Sequence, residues 1–211
     1  MYSLCTGFYR YMKQKPQYKV LIIGLDGAGK TTFLEQVKSI EGKKSMKLDK
    51  IPPTVGFNPV EIVKPKAQFF FWDVGGQKVL RKLWEKYYSE CNGMIFVIDG
   101  VNAKRLDEVK ETIDRLYDRE NPTDLVDLPA LFLLNKSEEK EYLGFDTINQ
   151  TIRFDKIYCK RQVEILEISA LTKDGMEDAL EWIYVNVSNQ TKAIEEKPEV
   201  LEETQQKQRR A

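Results

Sequence analysis

Eight consecutive residues, Gly24-Leu25-Asp26-Gly27-Ala28-Gly29-Lys30-Thr31, match the pattern G-x-x-x-x-G-K-[ST]. The glycines let backbone N–H groups turn inward as an anion nest, and a helix starting beyond them adds partial positive charge. Asp26, Gly27, Ala28, Gly29, Lys30, Thr31 and Thr32 are therefore the expected phosphate contacts. Lys30 would reach the β- and γ-phosphates, and the Thr31 hydroxyl would ligate Mg²⁺, a hard cation that prefers oxygen. Three further groups bear on the chemistry. Asp73-Val74-Gly75-Gly76-Gln77 offers a carboxylate for Mg²⁺, a Gly76 N–H for the γ-phosphate and a Gln77 amide to orient an attacking water. Thr54, in a Pro/Gly loop, could complete the Mg²⁺ shell when the γ-phosphate is present. Asn135-Lys136-Ser137-Glu138 resembles the guanine-reading N-K-x-D pattern with Glu138 in place of Asp, and Ser169-Ala170-Leu171 fits a backbone contact to the base oxygen. Each of the last three reads alone as an ordinary loop; their order along the chain makes them one guanine-nucleotide site.

These residues need a scaffold that brings loop ends together. Val20–Ile23, Met94–Ile98 and Ala130–Leu134 are short apolar runs of the kind buried on both faces of a parallel sheet. Amphipathic helices alternate with them: Leu106, Val109, Ile113, Leu116 and Tyr117 recur at helical spacing, as do Met176, Ala179, Leu180, Ile183 and Val187. Phe57–Val63 and Gln68–Trp72 form a hairpin across Lys64-Pro65-Lys66. The fold class is α/β, and its ligands sit at the carboxyl ends of strands.

Composition narrows the chemistry. The 211 residues carry 33 basic and 33 acidic side chains, so no global basic field argues for nucleic acid, and no nucleic-acid partner is expected. There is no histidine, which removes His-based triads and metal sites, and three scattered cysteines form no thiolate cluster. No apolar run is long enough to span a bilayer. Three segments follow: 1–18 as an amphipathic helix with Leu4, Phe8 and Met12 on one stripe beside Arg10, Lys13 and Lys15, 19–190 as the catalytic domain, and 191–211 as a charged disordered tail.

Gly24–Thr32 (GLDGAGKTT), Thr54–Asn58 (TVGFN) and Trp72–Gln77 (WDVGGQ) resemble the Arf family of small GTPases, over about residues 18 to 188. Met1–Leu4 with Tyr11-Met12, Thr32–Gln36 and Leu83–Cys91 resemble its ADP-ribosylation-factor-related protein subfamily. The resemblance implies a Ras-like P-loop fold: a six-stranded, mostly parallel sheet with one antiparallel edge hairpin strand and helices on both faces. It implies bound GTP or GDP with Mg²⁺ held by Thr31, Thr54 and Asp73, hydrolysis through Gln77, and phosphate contacts from Thr54 and Gly76. It also marks Phe57, Trp72 and Tyr87 as an effector surface. Its partners would be an exchange factor, a GTPase-activating protein and trafficking effectors. Tyr2 stands where most Arf proteins carry the myristoylated Gly, so that lipid is not expected; the subfamily implies instead an acetylated N-terminus and a membrane-protein receptor at the Golgi.

The expected function is a GTP/GDP switch in Golgi-associated traffic, on the cytosolic face of the membrane and cycling with cytosol. A nucleotide-dependent scaffold or pseudo-GTPase with negligible turnover is the alternative, favoured mildly by Glu138 and opposed by Gln77. A P-loop phosphotransferase suits the sequence less, since no arginine-rich lid is evident.

Overall fold

The structure, a computed structural model, describes residues 15–118, 123, 125, 127–157 and 162–195. Its centre is a six-stranded sheet of β1 (Gln17–Ile23), β2 (Phe57–Val63), β3 (Gln68–Val74), β4 (Gly93–Asp99), β5 (Ala130–Asn135) and β6 (Val163–Ile168), in the order β2-β3-β1-β4-β5-β6. All neighbours run parallel except the β2–β3 hairpin. The runs read as doubly covered strands are β1, β4 and β5: nearly every side chain of Val20–Ile23, Gly93–Ile98 and Ala130–Leu134 is buried.

Helices cover both faces, as the apolar stripes require. Against one face lie α1 (Lys30–Ile40), through Phe33, Leu34 and Val37, and α5 (Met176–Glu195), through Met176, Ala179, Leu180, Ile183 and Val187. Against the other lie α2 (Glu85–Tyr88), α3 (Leu106–Leu116) and α4 (Gly144–Ile152), the last two burying Val109, Ile113, Ile148 and Ile152. Among the described residues no helix is long and apolar enough to cross a membrane. The expected terminal segments are shorter than 1–18 and 191–211: Gln17 and Tyr18 already belong to β1, and 191–195 continue α5, while the stripe Leu4, Phe8 and Met12 and positions 196–211 lie outside the described residues.

β2 is an edge strand, and Phe57, Pro59, Glu61 and Val63 are all exposed. Pro59 is paired with Trp72. Proline has no N–H, so this pair must be a non-hydrogen-bonded one, and the backbone groups of 57, 59, 61 and 63 face away from β3.

Candidate guanine-nucleotide site

The phosphate loop leaves β1 at Gly24 and enters α1 at Lys30. It makes the turn through positive φ at Gly24, Gly27 and Gly29. Gly29 is also sterically required, since a Cβ there would stand 2.2 Å from the Asn135 amide nitrogen. The loop, the segment 51–54 and the residues after β3 enclose a cleft of about 250 Å³ lined by Lys30, Thr31, Thr32, Thr54, Gly76 and Gln77 among others. Ile51, Pro52 and Pro53 also line it. They give the cleft an apolar wall, a contribution that the sequence motif did not single out.

Lys30 is buried and donates to the carbonyls of Gly24 (3.0 Å) and Leu25 (2.8 Å). Burial lowers its ammonium to about 8, against the opposing pull of Asp73 and Asp26. A phosphate entering beside it would supply the missing counter-charge. Three oxygens meet next to it. The hydroxyls of Thr31 and Thr54 are 2.6 Å apart, and Asp73 Oδ2 accepts from Thr31 at 2.8 Å and from Thr54 at 3.2 Å. Burial raises the Asp73 carboxyl above the usual range, opposed by these hydroxyls, Lys30 and Asn58. Asp73 Oδ1 is buried with no hydrogen-bond partner among the described residues. A cation would relieve that cost directly. Two hydroxyls and a carboxylate fit Mg²⁺, which takes oxygen ligands. Among the described residues no group of three or more His, Cys, Asp or Glu could hold a metal unaided, so phosphate oxygens and water would complete the shell.

The loop after β3 is clamped over the phosphate loop. Gly75 N–H donates to Gly56 O at 3.0 Å, linking the segment after Thr54 to the one before Gln77. Trp84 Nε1 donates to Gly75 O (3.0 Å) and Arg81 Nε to Gly76 O (2.9 Å). Gln77 starts the turn Lys78–Leu83 and lines the cleft.

On the base side, Asn135 is 3% exposed and commits both ends of its amide to protein: Nδ2 donates to Ala28 O (2.8 Å) and Oδ1 accepts from Ala170 N–H (2.9 Å). It braces three loops against one another, so its contribution to base recognition is to hold them in place. Lys136, at φ +73, pairs with Asp99 at 2.6 Å. Ser169 is buried, and Leu171 is exposed with its carbonyl held by Gln36. Glu138 sits exposed in the turn closed by Glu139 N–H donating to Lys136 O.

Phe57, Trp72 and Tyr87 come together as one cluster. Phe57 and Tyr87 stack at 4.9 Å, with Trp72 edge-on to both at 5.7 and 5.6 Å. Phe57 is 38% exposed and Trp72 only 9%, with Lys19 Nζ 4.9 Å above the Trp72 ring. Sequence reading passed over Arg81, Arg105 and Glu108, which join the phosphate loop to the Gly76 segment. Arg105 and Glu108 at i,i+3 around a helix start were the available signal, but it names no long-range partner.

The family model for the ADP-ribosylation factor family matches residues 5–187. ADP-ribosylation factor-related protein 1 of Rattus norvegicus is 43% identical over 188 residues, covering 87% of this chain and 91% of its own length. ADP-ribosylation factor-like protein 3 of Saccharomyces cerevisiae is 40% identical over 197 residues, covering 92% and 97%. The structure of the Arl6 BBS3 small GTPase from Trypanosoma brucei with the bound nucleotide analogue GppNp aligns with TM-score 0.71 at 27% identity, covering 82% of this chain and 99% of that one. With motif, cleft and relatives in agreement, the chain belongs to the ADP-ribosylation factor family of small GTPases, whose members are GTP-binding switches that hydrolyse GTP.

Proposed function

We propose that this chain is a GTP/GDP switch of membrane traffic, working on the cytosolic face of Golgi membranes with Mg²⁺ at the Thr31–Thr54–Asp73 oxygens and Gln77 orienting the attacking water. The observation that carries the nucleotide part is the convergence of those three oxygens from three separate segments. A ligand bound among them draws the loop 51–56 and the segment 75–77 onto the phosphate loop, and loss of the γ-phosphate releases both. Slow intrinsic hydrolysis, assistance by an activating protein and reloading by an exchange factor complete the proposed cycle. Of the three aromatics, Phe57 with Tyr87 stacked on it is the surface offered to effectors, and the buried Trp72 backs it from the core.

The membrane part rests on the apolar and basic residues among the first nineteen, which suit an anionic interface. Lys15 Nζ donates to Lys64 O at 2.9 Å, so the described chain begins at the tip of the β2–β3 hairpin. Beside it runs a groove lined by Ile40, Leu180, Tyr184 and Val185 and by Glu41, Glu177, Glu181 and Lys64, the last paired with Glu41, so that Glu177 and Glu181 supply its net negative charge. That groove suits an apolar, basic segment: docked with GDP, released toward membrane with GTP, and held there by a membrane-protein receptor because one short helix binds weakly.

Titration with GDP, GTP, ADP and ATP, with Mg²⁺ and with EDTA, tests the nucleotide part; a preference for ATP would overturn it. Single-turnover hydrolysis with and without an activating protein separates a switch from a scaffold of negligible turnover. Flotation with anionic vesicles tests the membrane part, which fails if binding is the same in GDP and GTP.

A further inference from the structure

A chain of four alternating charges runs from the phosphate loop to the segment that carries Gln77. Asp26 of the loop accepts from Arg105 twice, at its own carbonyl (2.8 Å) and at Oδ1 (2.9 Å). Arg105 Nε donates to one oxygen of Glu108 (2.9 Å), and the other oxygen accepts from Arg81 Nη2 (2.8 Å). Arg81 then turns its Nε to Gly76 O at 2.9 Å, and its Nη2 also lies 3.7 Å from Asp26 Oδ1. The hydrogen bonds from Arg105 hold the Asp26 and Glu108 carboxyls below their usual range. The Arg81 side chain is 15% exposed, against 50% for Asp26, so the end of the chain nearest Gly76 is the better protected from water.

Gly76 O belongs to the peptide between Gly76 and Gln77. A peptide is planar, so fixing its oxygen and the Gly76 backbone fixes the direction in which Gln77 leaves. Trp84 holds the preceding carbonyl from the core side, and Arg81 holds this one from the solvent side. Arginine suits the task because its fork donates to two acceptors at once in a set geometry, which a lysine ammonium on a flexible stem does not.

Resting on the reading of Gln77 given above, we propose that Arg81 is a positioning residue for hydrolysis: anchored by Glu108 and, through Arg105, by Asp26, it orients the Gly76–Gln77 peptide and ties the placement of Gln77 to the phosphate loop. Order imposed on the loop by a bound nucleotide passes through Arg105 and Glu108 to the catalytic segment. Arg81 touches neither nucleotide nor water in this scheme; it acts through Gln77.

The test uses the full chain preloaded with GTP, comparing wild type with Arg81→Lys, Glu108→Gln and Gln77→Leu in single-turnover hydrolysis, alongside titration with a fluorescent GDP. Arg81→Lys keeps the charge and loses the fork; Glu108→Gln leaves Arg81 intact but removes the negative charge and one of the two acceptors that Arg81 and Arg105 use, so either variant alone carries the test. Both should keep GDP affinity within about twofold and slow hydrolysis on the order of tenfold or more, as expected for a misplaced catalytic group. Combined with Gln77→Leu, neither should slow the reaction further, because residues acting as one unit are not additive. Wild-type hydrolysis in both variants while Gln77→Leu is slow overturns the role of Arg81 alone. Losses that multiply with Gln77→Leu overturn it as well, since Arg81 would then act by another route. Wild-type hydrolysis in Gln77→Leu removes the catalytic assignment of Gln77, and this inference with it.

Discussion

Adding one methyl group at Gly76 tests how closely the catalytic segment rests on the phosphate loop. Gly76 does not lie at positive φ, so alanine is acceptable to the backbone and any effect must come from contact. A Cβ there would stand 2.3 Å from Gly24 O, 2.5 Å from Leu25 C and 2.5 Å from Lys30 Nζ. A comfortable carbon–oxygen approach is about 3.3 Å or more, so the overlap with Gly24 O is about 1 Å. Lys30 could bend aside, but Gly24 and Leu25 are backbone of the loop that must hold the phosphates. The Gly75–Gln77 segment therefore has to withdraw by about 1 Å. Overpacking of this size costs about 1–3 kcal/mol, which a domain stable by about 5–15 kcal/mol survives. The same displacement at a catalytic group can cost about 100-fold in rate. Gly76→Ala should thus keep GDP affinity within a few fold, lose much of its preference for GTP, and hydrolyse preloaded GTP about 100-fold more slowly. Fluorescent-nucleotide titration and single-turnover hydrolysis measure these separately. Hydrolysis and GTP affinity equal to wild type would refute the reasoning, because the segment could not then be resting on the loop.

Thr31→Asn removes the hydroxyl that meets Thr54 and Asp73 and should shift the protein toward GDP by about tenfold or more in relative affinity; an unchanged GDP/GTP ratio in Mg²⁺ would exclude Thr31 as a metal ligand. Lys30 carries an ammonium lowered to about 8 by burial, and an entering phosphate raises it. Below pH 8 both forms hold the proton and affinity is flat; above it binding must take up a proton, so GDP affinity should fall toward tenfold per pH unit. Titrations that stay level from pH 7 to 9.5 count against this. Glu138→Asp shortens the exposed carboxylate by one methylene, and stopped-flow release of a fluorescent GDP should be slower than in wild type; unchanged release would mean the 136–139 turn already accommodates the longer side chain.

Much of this arrangement was legible in the residues. Apolar runs gave the central strands because β1, β4 and β5 are covered on both faces, where no polar side chain is tolerated. The hairpin is equally plain from two runs joined across a Lys-Pro-Lys tip. β6 carries no such signal, for a physical reason: Val-Glu-Ile-Leu-Glu-Ile is an edge strand with only Ile168 fully buried, so no apolar run marks it. α4 was missed because its core contact is Ile148 and Ile152 alone, too few positions to establish a period. In the site, motif residues were found because backbone geometry and phosphate chemistry fix their spacing locally. The bracing of three loops by Asn135 and the Arg81–Glu108–Arg105–Asp26 chain were not, because they depend on which helix end packs over which loop. The exposure of Phe57 and burial of Trp72 belong to the same class: two aromatics on one hairpin read alike until the neighbouring strand is in place.

Pro59 gives the outer edge of the sheet a further property. A bare edge strand is a template on which another chain can add itself by backbone pairing, in orderly complexes or in aggregates. β2 turns the backbone of 57, 59, 61 and 63 to that edge, and the proline removes one donor from its middle while Glu61 sets a charge beside it. An incoming strand would meet an interrupted ladder, so fibril-like stacking and strand exchange between copies are disfavoured even though Phe57, Pro59, Glu61 and Val63 are exposed. Resistance to edge-to-edge association is what that one missing N–H contributes.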